Sequence, residues 1–464
     1  MTSSLPKPAL LAIAALLLPS CTVGPNYERP LTPEPGAWHT PLDAHFSGAP
    51  VERAELASWW QTLGDEQLTG LVGRAIAGNL DLWEARERIR EADAHRESAV
   101  AALYPTVRGR VTVSPVKPSR SSNQQATGLE LFWNLDTFGG LHRAVEASLA
   151  DLGASQEGLR QGLVDVAANV AQSYVDVRSF QARFAIAQEN LEAQSQTLAI
   201  ATWRAQAGLV TALDVEQARS DVEQTRAAIP TLRSGFEEAS NRLAVLLGQT
   251  PGALAEELAV ARPIPEPPAQ IAVGIPADAL EGRPDVRRAE REVAAETARV
   301  GQAKAAEYPT ISFTGALGTE AISLAGQSAG FSIGAAAAAS ALQTIFDHGA
   351  IRARLRAQKA VREESLAHFQ STVLNALEDV ESAIATYREE LERRDGLARA
   401  AASAQRAADM LREQYASGLV DFLAVLDANR SLFSLQDQLA VSQSRVVSDL
   451  IHVYRSLGGG WREA

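Results

Sequence analysis

The stretch Tyr415–Arg430, YASGLVDFLAVLDANR, holds a glycine, a short polar turn and an apolar helical run, the pattern of one helix reversing into another. The same pattern stands 210 residues earlier, at 205–220, as AQAGLVTALDVEQARS. Gly208, Leu209, Val210, Leu213, Val215 and Ala218 match Gly418, Leu419, Val420, Leu423, Val425 and Ala428 without a gap. The register persists to Leu247-Gly248 and Leu457-Gly458. A chance turn would not hold register that far, so the chain is an internal duplication built on two helical hairpins.

The first repeat covers 65–248, with its hairpin tip near Gly208, and the second covers 285–458, with its tip near Gly418. Gly139-Gly140 opens a helical pattern free of proline until Pro230. Leu163, Val170, Val177, Phe184, Leu191 and Leu198 recur every seven residues and predict a coiled-coil seam. A helix over 140–206 would be roughly 100 Å long, which has no use inside a compact globule. On the returning helix Pro230 removes a hydrogen bond and is expected to kink or interrupt it. The matching long helix starts near Gly349, with Val373, Leu377, Val380, Ile384, Tyr387 and Leu391 spaced by four and three. Seven prolines between Pro251 and Pro284 mark 249–284 as a linker, and 459–464 form a tail.

Each repeat also carries a pair of alternating runs, predicted as strands about ten residues long. Within 105–136, Val107, Val111 and Val113 alternate with Arg108, Arg110 and Thr112, while Leu129, Leu131, Trp133 and Leu135 alternate with Glu130, Phe132, Asn134 and Asp136. Within 309–345, Ile311, Phe313 and Leu317 alternate with Ser312, Thr314 and Ala316, and a later run begins at Phe331 and Ile333. That last run contains GAAAAAS, whose propensity is helical, and the repeat alone makes it a strand. A helical pattern from Asp65 to Leu103 precedes the first pair.

The N-terminus reads as a secretory signal over 1–20, an apolar run ending in Leu18-Pro19-Ser20 before Cys21. Such an ending resembles a lipoprotein box, which makes Cys21 the acylated residue and the outer membrane the destination. Residues 22–58 hold six prolines and read as an extended arm without helix, so 21–64 precede the first repeat. Net charge is −13 with no basic block, which argues against nucleic acid, and the single cysteine allows no internal disulfide. No catalytic or metal motif is present, which argues against an enzyme and implies no cofactor. A lipid-tethered coiled coil would explain the heptads but not the duplicated strand pairs.

Four strands cannot close a barrel, and open edges are not tolerated in lipid. The chain must therefore oligomerise, and three copies would supply twelve strands. The fold class is thus mainly α with a membrane β-barrel: four strands per chain, long coiled-coil helices and an internal duplication.

The motifs resemble those of outer membrane factors of the TolC/OprM type, in the NodT-like lipoprotein branch. They are CTVGPNY at 21–27, SWWQTLGDEQL at 58–68, NLDLWEARERI at 79–89, GRPDVRRAE at 282–290, IFDHG at 345–349 and LGGGW at 457–461, in the family's order. The resemblance implies a homotrimer with a twelve-stranded outer membrane barrel and a periplasmic α-helical barrel. It also implies an inner-membrane RND-type pump and a periplasmic adaptor as partners, with efflux of small molecules as the function. Export of proteins beside a type I secretion pump is the alternative cargo. The tips at Gly208, Leu209, Val210, Thr211 and at Gly418, Leu419, Val420, Asp421 would meet the adaptor. Leu423, Asp427 and Arg430, spaced on one helix face, match positions that narrow the periplasmic aperture. There Arg430 would hold the closed state through carboxylates of a neighbouring helix. Leu423 as plain core and Asp427/Arg430 as a solvated pair is the competing reading. Arg108 and Arg110 would line the barrel lumen or sit near its rim. Trp59, Trp60 and Trp461 read as packing residues.

Overall fold

A computed structural model of the chain describes residues 22–32, 35–42, 44–49, 53–115, 122–324 and 327–462. The signal segment 1–20 and Cys21 lie outside the described residues. The chain forms two compact units, one from residues up to Thr32, Glu87–Glu157 and Arg287–Thr372, the other from Pro33–Arg86, Gly158–Val286 and Val373 onward. In chain order the elements are β1 (Phe46–Ser47), α1 (Arg53–Leu56), a 3-10 turn (Trp59–Leu63), α2 (Glu66–Gly78), α3 (Leu80–Ala101), β2 (Thr106–Pro115) and β3 (Ser122–Leu135). They continue as α4 (Gly140–Gln206), α5 (Ala212–Leu246), α6 (Ala255–Leu258), β4 (Ile271–Ala272), α7 (Pro276–Gly282) and α8 (Pro284–Ala305). The last four are β5 (Thr310–Leu324), β6 (Gln327–Leu342), α9 (Ala350–Ala416) and α10 (Phe422–Ser456). Among the described residues no helix is long and apolar enough to cross a membrane.

The first unit holds an antiparallel sheet in the order β2-β3-β5-β6, so the strand pairs of the two repeats lie side by side. Register sorts the side chains into two faces. Arg108 lies opposite Glu130, Glu130 opposite Ala316 and Ala316 opposite Ala336, on a face that also takes Thr112, Ser312 and Thr314. The other face collects Val107, Val111, Val113, Leu129, Leu131, Trp133, Phe313, Leu317 and Ile333. Val111 is 76% and Ile333 71% exposed, an apolar surface that water does not favour. Phe132, opposite Thr106 and Thr314, and Leu342, opposite Thr310, are bulky apolar residues that fall on the polar face.

Three strands are longer than the alternation predicted, at 14, 15 and 16 residues for β3, β5 and β6. Pairing runs unbroken from Ser122↔Leu324 to Leu135↔Ile311, because the ladder continues through polar residues that carry no alternation. The alanine run of β6 is strand, with Ala335, Ala337 and Ala339 paired to Leu317, Gly315 and Phe313. There the hydrogen-bonded ladder outweighs the helical propensity of alanine.

Gly128 and Gly318 face each other where β3 and β5 approach closely. A Cβ on Gly318 would lie 2.9 Å from the Thr127 carbonyl oxygen and 3.3 Å from the Gly128 Cα. Gly318→Val should therefore force the strands apart and cost about 1–3 kcal/mol. Gly334→Ala, with nothing within 4 Å, should be tolerated. The temperature at which the folded band is lost in heat-modifiable gel migration separates the two; equal behaviour would refute the close-approach argument.

Both long helices start on an aspartate cap. Asp136 accepts from the backbone of Leu141 at 3.0 Å and His142 at 2.7 Å, and Asp347 of IFDHG accepts from Gly349 at 2.8 Å and Ile351 at 2.7 Å. The segment 22–32 is bound to this unit. Val23 N donates to Phe138 O at 3.2 Å, Arg143 donates to Asn26 at 2.8 Å, and Tyr27 donates to Glu290 at 2.8 Å. Two of the quoted motifs, CTVGPNY and GRPDVRRAE, thus meet at a buried carboxylate.

The second unit is held by a core in which Trp59, Leu68, Leu71, Tyr174, Leu243, Val380, Ile384, Tyr387 and Leu450 pack together. Leu68, Leu71, Val72 and Ala75 form the buried stripe of α2, whose cap Asp65 accepts from Leu68 N at 3.0 Å. Helices α4 and α10 are joined by a polar ladder: Arg455–Asp165 at 2.7 Å, Gln172–Ser448 at 2.8 Å, Ser179–Ser444 at 3.1 Å and Arg183–Asp437 at 2.7 Å. Leu163, Phe184, Leu191 and Leu198 of the predicted seam are only half-buried in the single chain, whereas Val170 and Val177 are fully covered.

Several expectations are corrected. The helix predicted over 65–103 is two, broken at Asn79, whose backbone is extended. Asn79 Oδ1 accepts from Leu82 N at 3.0 Å and its Nδ2 donates to Leu246 O at 2.9 Å, so the side chain starts α3 and caps the end of α5 at once. Arg283 repeats the device, donating to Ser456 O at 2.9 Å. The arm is not free of regular structure: β1 pairs in parallel with β4, and α1 and the 3-10 turn follow. The linker likewise contains α6, β4 and α7. Helix α5 is continuous through Pro230, which lies on the exposed side, where a carbonyl left without its donor can be solvated.

Candidate functional site at the hairpin turns

The two turns are built alike. After α4, Gly208 (φ 73°) allows Leu209 N to reach Arg204 O at 2.9 Å; after α9, Gly418 (φ 74°) allows Leu419 N to reach Gln414 O at 2.9 Å. Both are left-handed helix terminators that a side chain would strain. Thr211 and Asp421 then cap the returning helices: Thr211 Oγ1 accepts from Asp214 N at 3.3 Å, and Asp421 accepts from Ala424 N at 3.0 Å. Between glycine and cap, Leu209 and Leu419 are 73% and 76% exposed, while Val210 and Val420 are half-buried. Each turn therefore presents one large apolar side chain on a rigid support.

Behind the turns, Ala201 of α4, Val215 and Ala218 of α5, and Phe422 and Leu426 of α10 form a small core. Tyr415 of α9 joins it, with the Arg204 guanidinium 4.3 Å above its ring and Phe422 5.4 Å away. This contact ties the two hairpins together.

Leu423 is not part of that core. It is 42% exposed, on the face beside the buried Phe422, Val425 and Leu426. Asp427 and Arg430 share its face, and Arg430 Nη1 lies 3.4 Å from Asp427 Oδ1. The stronger partner is Asp221 of α5. Arg430 Nε donates to both carboxylate oxygens, at 2.9 and 3.0 Å, and Nη2 lies 2.8 Å from Oδ1. The Asp221 side chain is 6% exposed, against 62% for Asp427. Hydrogen bonding to Asp221 raises the Arg430 pKa above its ordinary value. The geometry is a charge-assisted clasp between the returning helices of the two repeats, with Asp427 as a looser second acceptor. It combines the interhelical contact expected of Arg430 with the intrahelical pair of the competing reading.

Sequence reasoning missed Asp221, Arg204 and Tyr415. Asp221 left one signal: it sits among Ala218 and Thr225, at helical spacing on the buried stripe of α5, where a carboxylate requires a partner. Arg108 and Arg110 fall together on the polar face of the sheet, and Arg110 pairs with Glu130 at 2.8 Å. Trp59 and Trp60 are core residues, and Arg160 stacks over Trp461 at 4.7 Å.

Comparison with known proteins agrees with this architecture. The profile of the family described as outer membrane efflux protein matches residues 71–249 and 275–459. Nodulation protein T of Rhizobium leguminosarum bv. trifolii is 34% identical over 96% of this chain and 94% of its own length. Outer membrane protein OprJ of Pseudomonas aeruginosa is 31% identical over 97% of this chain and 95% of its own. Among solved structures, the outer-membrane channel OprN superposes with a TM-score of 0.86 at 34% identity, covering 95% of this chain and all of that one.

Proposed function

The chain belongs to the outer membrane efflux protein family, and from that premise we propose that it is the outer membrane channel of a tripartite efflux pump. Three copies join edge to edge, β2 of one against β6 of the next, and close a twelve-stranded barrel. The single observation that carries this reading is the sheet itself. Its two edges are unpaired among the described residues, most of its apolar side chains gather on one face, and its four charged residues lie on the other. Such a sheet is stable in lipid only when its edges are closed, with the apolar face toward the acyl chains and the polar face toward water.

The long helices of the three copies then line a periplasmic passage. The exposed Leu209 and Leu419 at the turns are the adaptor-contacting points, and the adaptor links the channel to an inner-membrane RND-type pump. Leu423, Asp427 and Arg430 narrow the periplasmic aperture, with the Arg430–Asp221 clasp holding α10 against α5 in the closed state. Cys21 carries the lipid anchor; residues just after it are bound beside Phe138 and Gly139, at the base of the strands, which suits an anchor at the membrane surface. Small molecules driven by the pump are the cargo, and the channel itself performs no chemistry.

The test is single-channel recording of purified, lipidated protein in planar bilayers, with oligomer mass measured in the same preparation. Discrete conductance steps from a three-copy species are expected. A monomer that extracts without detergent and conducts nothing would remove the proposal.

A further inference from the structure

The charged residues of the sheet are balanced and layered. Arg108 and Arg110 on β2, Glu130 on β3 and Glu320 on β5 all lie on the polar face, and no other charged residue occurs in the four strands. They occupy three successive rows. Arg108 is opposite Glu130; Arg110 is opposite Gly128, which continues to Gly318 and Gly334; Thr112 is opposite Ala126, which continues to Glu320 and Ser332. At about 3.4 Å per residue the three rows span roughly 14 Å. Glu130 stands opposite one arginine and bonds the other diagonally, at 2.8 Å from Arg110. Glu320 lies one row beyond Arg110, whose own row carries only glycines on the other three strands.

We infer that this belt is a charge-compensated stretch of the barrel wall that lets solutes of either sign pass. The inference rests on the channel reading above. Six arginines around a closed three-copy barrel, left alone, would concentrate anions and exclude cations. Six glutamates placed within the same rows cancel that field over a distance comparable with the screening length of physiological salt, about 8 Å. The glycine row keeps the wall low where the Arg110–Glu130 pair projects. The barrel therefore exerts no selection by charge, and organic cations and anions leave by the same exit.

The reversal potential of the reconstituted channel under a potassium chloride gradient tests this, at roughly 10–100 mM salt, where screening lengths are about 10–30 Å. Variants are made in an Arg430→Ser background, so that the aperture does not limit the current. Arg108→Gln should move the potassium-to-chloride permeability ratio toward potassium, and Glu130→Gln toward chloride, each by about twofold or more. The double variant Arg110→Gln/Glu130→Gln and the charge swap Arg110→Glu/Glu130→Arg should both keep the background ratio. Heat-modifiable migration shows that each variant has assembled. Single variants without any shift, or a double variant shifted as far as the single ones, overturn the inference while leaving the channel intact. Absence of current from every variant and from the background overturns the channel reading and the inference with it.

Discussion

Arg430→Ser is expected to raise the single-channel conductance several-fold, and Asp221→Asn to do the same. The guanidinium reaches both oxygens of a carboxylate that is almost wholly covered, so neither partner has an equivalent substitute. Removing Arg430 strands a buried anion, which repels the tight packing of α10 on α5 that the pair permitted. Removing the Asp221 charge leaves Arg430 with Asp427 at 3.4 Å, a contact exposed enough to be screened by salt. In the three-copy aperture proposed above each clasp acts once per copy, so a single substitution would loosen three. Asp427→Ala alone should leave the conductance small, because the clasp to Asp221 survives. Arg430→Lys should fall between, since an ammonium keeps the charge but loses the two-pronged geometry. The recording that decides is wild type against Asp221→Asn in one bilayer preparation. Equal conductances, with the oligomer intact, would mean that the clasp only packs the hairpin.

What could be read from the sequence divides along the range of the interactions. Gly208 and Gly418 declare themselves because a helix terminator works through its own backbone and its nearest neighbours. The faces of β2, β3 and β5 declare themselves because a strand exposes its environment every second residue. The strand character of β6 could not be read from its alanines and came only from the duplication; the ladder to β5 supplies the physical cause. The break at Asn79 was missed although Gly78-Asn79 is a sound stop and start, because the surrounding residues are good helix formers. Its cause is a carbonyl at Leu246, far away in sequence. Asp221 lies 209 residues from Arg430, and here the duplication misleads. Ser431 stands where the repeat would place its counterpart, so comparing the two halves hides the clasp that joins them.

The largest stability effect is expected at Trp59, and it separates folding from gating. Trp59 is fully buried, stacks on Tyr454 with ring centroids 5.1 Å apart, and meets Trp60 edge-on at 5.9 Å. A Cβ on Gly459 would lie 2.9 Å from its Cδ1, and Gly460 N donates to Leu56 O at 3.0 Å. The SWWQTLGDEQL and LGGGW motifs are therefore two sides of one packing joint, which closes the end of α10 over the segment that leads into α2. Trp59→Ala removes a large ring from a site that glycines have already brought to contact, so the cavity cannot collapse much further. The cost should be about 3–5 kcal/mol, with a fall in Tm on the order of 10 °C by circular dichroism. Trp59→Phe should cost about half as much or less, because Nε1 has no hydrogen-bond partner to lose among the described residues. Neither variant touches the Arg430–Asp221 clasp, so conductance per assembled channel should stay at the wild-type level while the yield of assembled channel drops. Asp221→Asn should show the reverse, open channels with a Tm close to wild type. If Trp59→Ala instead opened the channel without loss of Tm, the joint would belong to the gate, and folding and gating would not be separable in this chain.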